Sequence, residues 1–346
     1  MQRYLITGAT GFVGAHLAGH LWELGAHLRL LVRRSSDLTR LPAAIGQALA
    51  VKDPRVELFI GDLANAASLG GACEGVAGVY HLACAVKGTF DESERSRAVF
   101  HEVNVAGTEN LAREAARAGV RMVHLSSTAA MGSVEESVVD EQTPCRPRAL
   151  YQSSKRQAEL SLLELHGSEG LDVVILRPCL ILGPGKAGGE VLELFNLVRK
   201  GHFPKVAAAL RCTKPLVDVR DVAQGCVRAM ERGVAGEIYL IHSGARHTLG
   251  EIVAAAGALV GVRRTGVPVP MWPMRLAGLG FEKIAAAVPS FNPPWTRNRL
   301  DLFVTDRQIS IEKARVQLGY APAYQNVYDM LGMTYIGYVK DGQLRP

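Results

Sequence analysis

Thr7-Gly8-Ala9-Thr10-Gly11-Phe12-Val13-Gly14 follows directly on the short apolar run Tyr4-Leu5-Ile6. A strand that breaks into glycines at this spacing and continues into an amphipathic stretch has the form of a dinucleotide cradle. Gly8 permits the tight strand-to-helix turn, Gly11 lets backbone approach a pyrophosphate, and Gly14 lets the helix pack closely on the sheet. Thr10, Gly11, Phe12 and Val13 then present the helix N-terminus, with its unsatisfied N–H groups, to the phosphates.

Outward from that stretch the chain alternates. Apolar runs at Tyr4–Thr7, Leu28–Val32, Val56–Ile60, Val79–Leu82, Met122–Ser126 and Val173–Leu176 are separated, in several intervals, by helical periodicity at 12–24, 94–118 and 151–166. Such alternation predicts an α/β fold, a doubly wound parallel sheet of the Rossmann kind covered on both faces. Gly25 and Gly119 stand where helix C-terminal glycines belong. Beyond about residue 180 the pattern loosens at Gly183-Pro184-Gly185, with helices expected at 189–200, 220–231, 248–259 and 325–338. We therefore expect residues 1–182 to form the cofactor-binding domain, with 214–242 rejoining it. Residues 183–213 and 243–346 are expected to form a smaller, mostly C-terminal substrate lobe.

Composition narrows the function classes. The chain has 346 residues, 48% hydrophobic and 21% charged, which is ordinary for a globular protein. Its net charge of +6 is spread over scattered Lys and Arg, and aromatic residues are only 6%, so no nucleic-acid stripe is present. Cys73, Cys84, Cys145, Cys179, Cys212 and Cys226 show no CxxC spacing. They read as reduced thiols of a cytoplasmic protein, and no metal is expected. A first strand starting by residue 3 leaves no room for a leader peptide, and no apolar run is long enough to cross a membrane.

The second strand ends in Val32-Arg33-Arg34-Ser35-Ser36, with no acid before Asp37. An acid there favours the bare ribose of NAD(H), whereas Arg suits a 2′-phosphate. Arg33 thus favours NADP(H), with NAD(H) as the alternative. Asp62 and Leu63 follow the third strand, where a carboxylate can accept from the adenine amino group. Leu82 and Ala83 follow the fourth, where small side chains let a cofactor lie flat on backbone.

Tyr151 and Lys155 share a helix face at i, i+4. A free phenol titrates near ~10, too high for a proton carrier at neutral pH, and a nearby ammonium together with oxidised nicotinamide is expected to lower it. Ser127, at the end of the fifth strand, can bond the same substrate oxygen. Together these residues resemble the short-chain dehydrogenase/reductase superfamily in its extended form. The resemblance runs through the cradle, Gly61-Asp62, Asn104-Val105-x-Gly107-Thr108, Ser126-Ser127, the Tyr151/Lys155 pair and Arg177-Pro178, in order. It implies Tyr151 as general acid/base, Lys155 as its activator and ribose anchor, and Ser127 as the substrate-oxygen partner. It also implies that Pro178 packs against the nicotinamide and that Asn104 ties a helix to the nearby strands. A homodimer through helices 94–118 and 151–166 is also implied.

Departures from the sugar-nucleotide branches set the direction. Ser127-Thr128-Ala129 lacks the Thr-Asp-Glu-like acid pair of 4,6-dehydratases. Leu180 stands where epimerases carry Asn, and Met131 where they favour Tyr. The stretch 268–295 carries Met271, Trp272, Met274, Leu276, Leu279, Phe281, Ile284, Val288, Phe291 and Trp295. These suit a greasy substrate wall, a surface touching membrane, or the lobe's own core. Leu300–Tyr320 resembles the tail of 3β-hydroxysteroid dehydrogenase-like members. The expected activity is hydride exchange with a secondary alcohol or ketone on a hydrophobic, sterol- or β-keto-lipid-like substrate. A nucleotide-sugar epimerase, which consumes no net cofactor, is the alternative, and a non-enzymatic NADP sensor is a third.

Overall fold

The structure, a computed structural model, describes residues 2–86, 93–132, 134, 136–186, 188–287, 304, 306 and 308–345, with 285–287 as backbone only. Val288, Phe291, Trp295, Thr305 and Arg307 therefore lie outside the described residues, as does 87–92 of the loop after the fourth strand.

Seven parallel strands form the central sheet. From one edge to the other they are Ile238–Ile241, Val173–Pro178, Arg121–Leu125, Gly78–His81, Arg3–Thr7, His27–Val32 and Val56–Ile60. The run-rich sequence follows from burial on both faces. Leu5, Ile6, Leu28, Leu30, Val79, Val173, Val174 and Ile175 are fully buried. Strand order reverses beside Arg3–Thr7, whose two neighbours continue to opposite edges, and this switch point is where doubly wound sheets open a crevice for ligands. Helix Phe12–Glu23 follows the first strand, Leu24 and Gly25 end it, and Gly25 takes φ +78°. Helix Gly107–Ala118 ends on left-handed Gly119 at φ +63°. The expected helix 94–118 is one continuous piece in three parts: α over Glu94–Val99, π over Phe100–Ala106, then α again.

Residues 214–242, expected to rejoin the cofactor-binding domain, send Val217 and Val222 into the core of the sheet, while Leu216–Asp218 pairs with Leu180–Leu182 in a separate two-stranded ladder and the seventh strand is Ile238–Ile241. One expectation needs correction. Met131, read as an apolar substrate contact, is 2% exposed and packs with Val134, Val139 and Leu240. It fills a small core rather than facing a ligand.

A second core unites Val191, Phe195 and Val198 with Ile252, Val253 and Ala256 and with Met330, Leu331 and Tyr338. Not all of 243–346 belongs to it, because Ile311, Ala314, Leu318 and Tyr320 pack into the core of the sheet. Met274 joins the second core, while Trp272 on the same helix is 67% exposed and Leu276 and Ile284 also face outward. The last helix, Val327–Lys340, and its tail fasten the loop after Leu182. Gly183 N donates to Thr334 Oγ1 at 2.8 Å, Gly188 N to Gln343 Oε1 at 2.8 Å, and Tyr338 OH to Gly188 O at 3.0 Å.

One buried ion pair pins the helix Leu150–Glu169 to the sheet. Arg177 of the sixth strand donates Nε and NH2 to the two Glu159 carboxylate oxygens at 2.8 and 2.6 Å. Ser126 Oγ adds a 2.6 Å bond to Glu159 Oε1, and Arg156 NH1 reaches Oε2 at 3.2 Å. Removing one partner of such a pair strands the other charge in the interior. Glu159→Ala is expected to lower unfolding free energy by about 3–5 kcal/mol in urea titration. A loss under about 1 kcal/mol, the range of an exposed pair, would contradict this role.

Candidate active site

The cradle has the shape its sequence predicts, and sterics explain each glycine. Gly8 holds φ +72°, and a Cβ there would lie 2.7 Å from Ala83 N. A Cβ on Gly14 would collide with the Gly8 carbonyl. Gly11 N donates to Gly8 O at 2.8 Å and caps helix Phe12–Glu23 without any side-chain cap. The first N–H groups of that helix therefore have no side-chain acceptor and point to the switch-point crevice, a cradle fitted to a dinucleotide pyrophosphate. At the end of the second strand Arg33 and Arg34 are exposed. A tight turn closes beneath them through Ser36 N to Arg33 O at 2.9 Å and Arg33 N to Ser36 Oγ at 3.0 Å. Asp37, the nearest acid, spends its carboxylate on Thr39 N and Oγ1 at 3.1 and 2.6 Å. Asp62 is half-buried and accepts from Ala64 N at 3.1 Å, next to buried Leu63.

Below the cradle runs a chain of polar groups whose proton order can be deduced. Thr108 Oγ1 donates to Asn104 O at 2.7 Å, so it accepts from His81 Nε2 at 2.9 Å. His81 Nδ1 must then accept from Thr7 Oγ1 at 2.7 Å, and Thr7 Oγ1 in turn accepts from Ala83 N at 3.2 Å. The imidazole is thereby a neutral Nε2–H tautomer, and burial, aided by Lys155, pushes its pKa down to about 3. Asn104 clamps the same strand end from the other side. Its Oδ1 accepts from Ala85 N at 2.7 Å, and its Nδ2 donates to Ala85 O and to Ser154 Oγ, both at 3.1 Å. Beyond tying a helix to a strand, Asn104 joins the segment after Leu82 and Ala83 to the helix that carries Tyr151.

Tyr151 and Lys155 lie in the first turns of helix Leu150–Glu169, which packs on the π-helical segment Phe100–Ala106 and on the turn Thr128–Met131. Ser127 caps that turn, accepting from Ala129 N at 3.1 Å. The Tyr151 ring meets Phe100 edge-on at 5.8 Å. Lys155 is 2% exposed and donates Nζ to Leu125 O at 2.9 Å. Burial pushes the Tyr151 phenol well above the ordinary tyrosine range, and the Cys84 thiol at its side adds to the rise. The groups that act on this phenol raise it, against the lowering expected from an ammonium at i+4. Cys84 and Glu159 were missed in the sequence. Pro178 is buried at the end of the sixth strand, and Leu180, 38% exposed, begins the next ladder.

A second buried imidazole sits beside the first. His124 pairs with His81 across the fourth and fifth strands, with ring centroids 5.1 Å apart. It is 1% exposed, and neither ring nitrogen has a hydrogen-bond partner among the described residues. Burial, then Lys155 and His81, hold it well below the usual histidine range.

The chain belongs to the NAD dependent epimerase/dehydratase family, whose model matches residues 4–241. It is an enzyme of the extended short-chain dehydrogenase/reductase type, a class that works with a nicotinamide cofactor. Sterol demethylase protein B of Methylococcus capsulatus is 31% identical over 92% of this chain and 93% of its own. A 3 beta-hydroxysteroid dehydrogenase/Delta 5→4-isomerase of Mycobacterium tuberculosis is 29% identical over 94% of this chain and 87% of its own. Among solved structures, a double mutant of a dTDP-glucose 4,6-dehydratase from Streptomyces venezuelae with NAD bound superimposes with TM-score 0.75 at 26% identity. The match covers 99% of this chain and 98% of that one. No described helix is long and apolar enough to cross a membrane.

The two neutral histidines make acid sensitivity a test of the site's electrostatics. Their folded pKa values lie below the unfolded value near ~6.5, so the unfolded chain takes up protons that the folded chain refuses. Their stabilising contribution is whole above that pH and is lost as pH falls towards about 3 for His81. Between pH ~6.5 and ~5 His81 should cost about 2 kcal/mol, and His124 adds to that loss. His124→Leu should make the acid loss in urea unfolding shallower, and an unchanged pH slope would contradict the buried-neutral assignment.

Proposed function

We propose that the protein interconverts a secondary alcohol and a ketone on a hydrophobic, sterol- or β-keto-lipid-like substrate, using NADP(H). The observation that carries this reading is the set of Ser127, Tyr151 and Lys155 beside the switch-point cradle, with Thr128 and Ala129 in place of an acid pair. Elimination of water needs a second acid and base at the substrate, and this set offers none there. Leu180, half-open at the strand end after Pro178, supplies apolar surface where a sugar nucleotide would want hydrogen bonds. Relatives named for sterol and 3 beta-hydroxysteroid chemistry, and a ketoreductase of a farnesylated quinoline oxide from Stigmatella aurantiaca, support the same substrate class.

When bound, the nicotinamide supplies or accepts the hydride at the carbinol carbon. Gly8, Thr10, Gly11, Phe12 and Val13 hold its pyrophosphate, Asp62 and Leu63 the adenine, and Leu82, Ala83 and Pro178 the face towards the nicotinamide. Ser127 orients the substrate oxygen. Tyr151 Oη gives that oxygen a proton in the reducing direction and takes it back in oxidation. Lys155, released from Leu125 O or shared with it, anchors the ribose and stabilises the phenolate. Burial keeps Tyr151 protonated, the form that donates in reduction, whereas in oxidation the Lys155 ammonium and the positive charge of an oxidised nicotinamide would together favour the phenolate that accepts.

Tyr151→Phe should cut kcat by about 10²-fold or more while leaving NADPH affinity within about twofold in fluorescence titration. Near-normal turnover would remove Tyr151 from the chemistry. A steroid and keto-lipid panel read by nicotinamide absorbance separates net redox from epimerisation, which leaves that absorbance unchanged. For the cofactor, Arg33→Asp should weaken NADPH by roughly tenfold and leave NADH little changed, since an ionic hydrogen bond contributes about that much. An unchanged NADPH/NADH preference would refute the 2′-phosphate assignment.

A further inference from the structure

The glycine cradle is electrically incomplete. Its residues from Thr7 to Gly14 carry no charge, and the first turn of helix Phe12–Glu23 has neither acid nor base. A dinucleotide pyrophosphate brings two negative charges, whereas a helix N-terminus offers roughly half a positive charge. Arg33 and Arg34 lie at the far end of the second strand, at the adenosine end of the crevice.

Another part of the chain brings a cation to the first residue of that helix. The loop that follows Leu182 crosses over the start of helix Phe12–Glu23. His16 Nε2 bonds Pro184 O at 2.8 Å, and a Cβ at Gly183 would come within 3.7 Å of Phe12 Cζ. Within this loop the Lys186 ammonium stands over the Phe12 ring, 5.5 Å from its centroid. Phe12 is the first residue of the helix whose N–H groups form the cradle. Lys186 donates Nζ to Ile181 O at 2.7 Å, and no other hydrogen bond is made by it among the described residues. An ammonium has three donors, so an oxyanion arriving at the cradle meets a cation with donors to spare.

We propose that Lys186 binds the cofactor's pyrophosphate, supplying the positive charge that the glycine cradle lacks. The proposal rests on the nicotinamide-cofactor reading of the site. Its chemistry is that of a point charge on a phosphate rather than the bidentate grip expected of Arg33 on a 2′-phosphate. Burial of Lys186 pushes its pKa down to about 8, an effect that Glu190, in the first turn of the helix Gly189–Arg199, opposes. Desolvation of this cation is the expense that a bound dianion would relieve. On either side of Lys186 the backbone at Gly183 and Gly188 is fastened to the C-terminal helix and tail through Thr334, Gln343 and Tyr338. A lysine on such a loop needs little ordering to engage a ligand, which favours affinity.

The test is the binding of NADPH and NADH, separately, to wild type, Lys186→Met and Lys186→Arg, read as Kd from fluorescence titration, with thermal melting of the protein alone alongside. Lys186→Met should weaken both dinucleotides by the same factor, roughly tenfold, with melting unchanged or raised. Lys186→Arg should restore most of the affinity. Equal Kd values for wild type and Lys186→Met, with or without a fall in melting temperature, would overturn the proposal. Weakening of NADPH alone would also overturn it, since that places the charge at the 2′-phosphate. Wild type binding neither dinucleotide would sink the cofactor reading itself, and is thereby distinguishable from failure of Lys186 alone.

Discussion

The closeness of backbone to backbone at the switch point governs this molecule. Gly8 lies against Ala83, and Gly14 against Gly8, at separations no β-carbon would tolerate. That contact lets a helix N-terminus sit directly over the end of the paired first and fourth strands, where the connections leave in opposite directions. Everything with a chemical role is measured from it. Thr7, one residue before the turn, sends its hydroxyl to His81 and takes the Ala83 amide. Asn104 holds the next residues of the same strand end and passes the constraint to the helix that carries Tyr151 and Lys155 through Ser154. The cradle and that helix are thus one hydrogen-bonded unit, although they come from opposite ends of a 150-residue stretch.

The buried polar groups under the site serve position more than charge. His81 is fully bonded and neutral, and its tautomer is dictated by its two threonine neighbours. Glu159 and Arg177 compensate each other, with Ser126 drawn into the pair just before Ser127. Such groups cost free energy to bury and return it only when every partner is in place. Their effect is to leave Ser127, Tyr151 and Lys155 few alternative positions.

Much of this was legible in the chain before any coordinate. Six strands of the sheet stood out because strands buried on both faces read as unbroken Val, Leu and Ile. The glycine cradle stood out because its constraint is local, within eight residues. The seventh strand, Ile238–Ile241, did not, because a four-residue apolar run after a helix looks like any other. Glu159 resembled an exposed helical charge until Arg177 arrived from the neighbouring strand. Cys84 could not be connected with Tyr151 from spacing, since only the closure of the fold brings thiol to phenol. Met131 was misread for the opposite reason: a motif position was taken to face the ligand, while its side chain turns inward to Val139 and Leu240.

The fastening of the loop over the cradle has a temporal side. The cradle itself is complete within the first two dozen residues, and the sheet that supports it within about 240. The groups that hold the covering loop down, Thr334, Tyr338 and Gln343, belong to the last thirteen residues of the chain. On a growing chain, where N-terminal parts fold first, the cleft therefore stands as an open shelf from the completion of the sheet until the end of synthesis. It acquires its roof only when the final helix is released, so a product cut just before Val327 would retain the residues of the sheet's core and lose the closure above it.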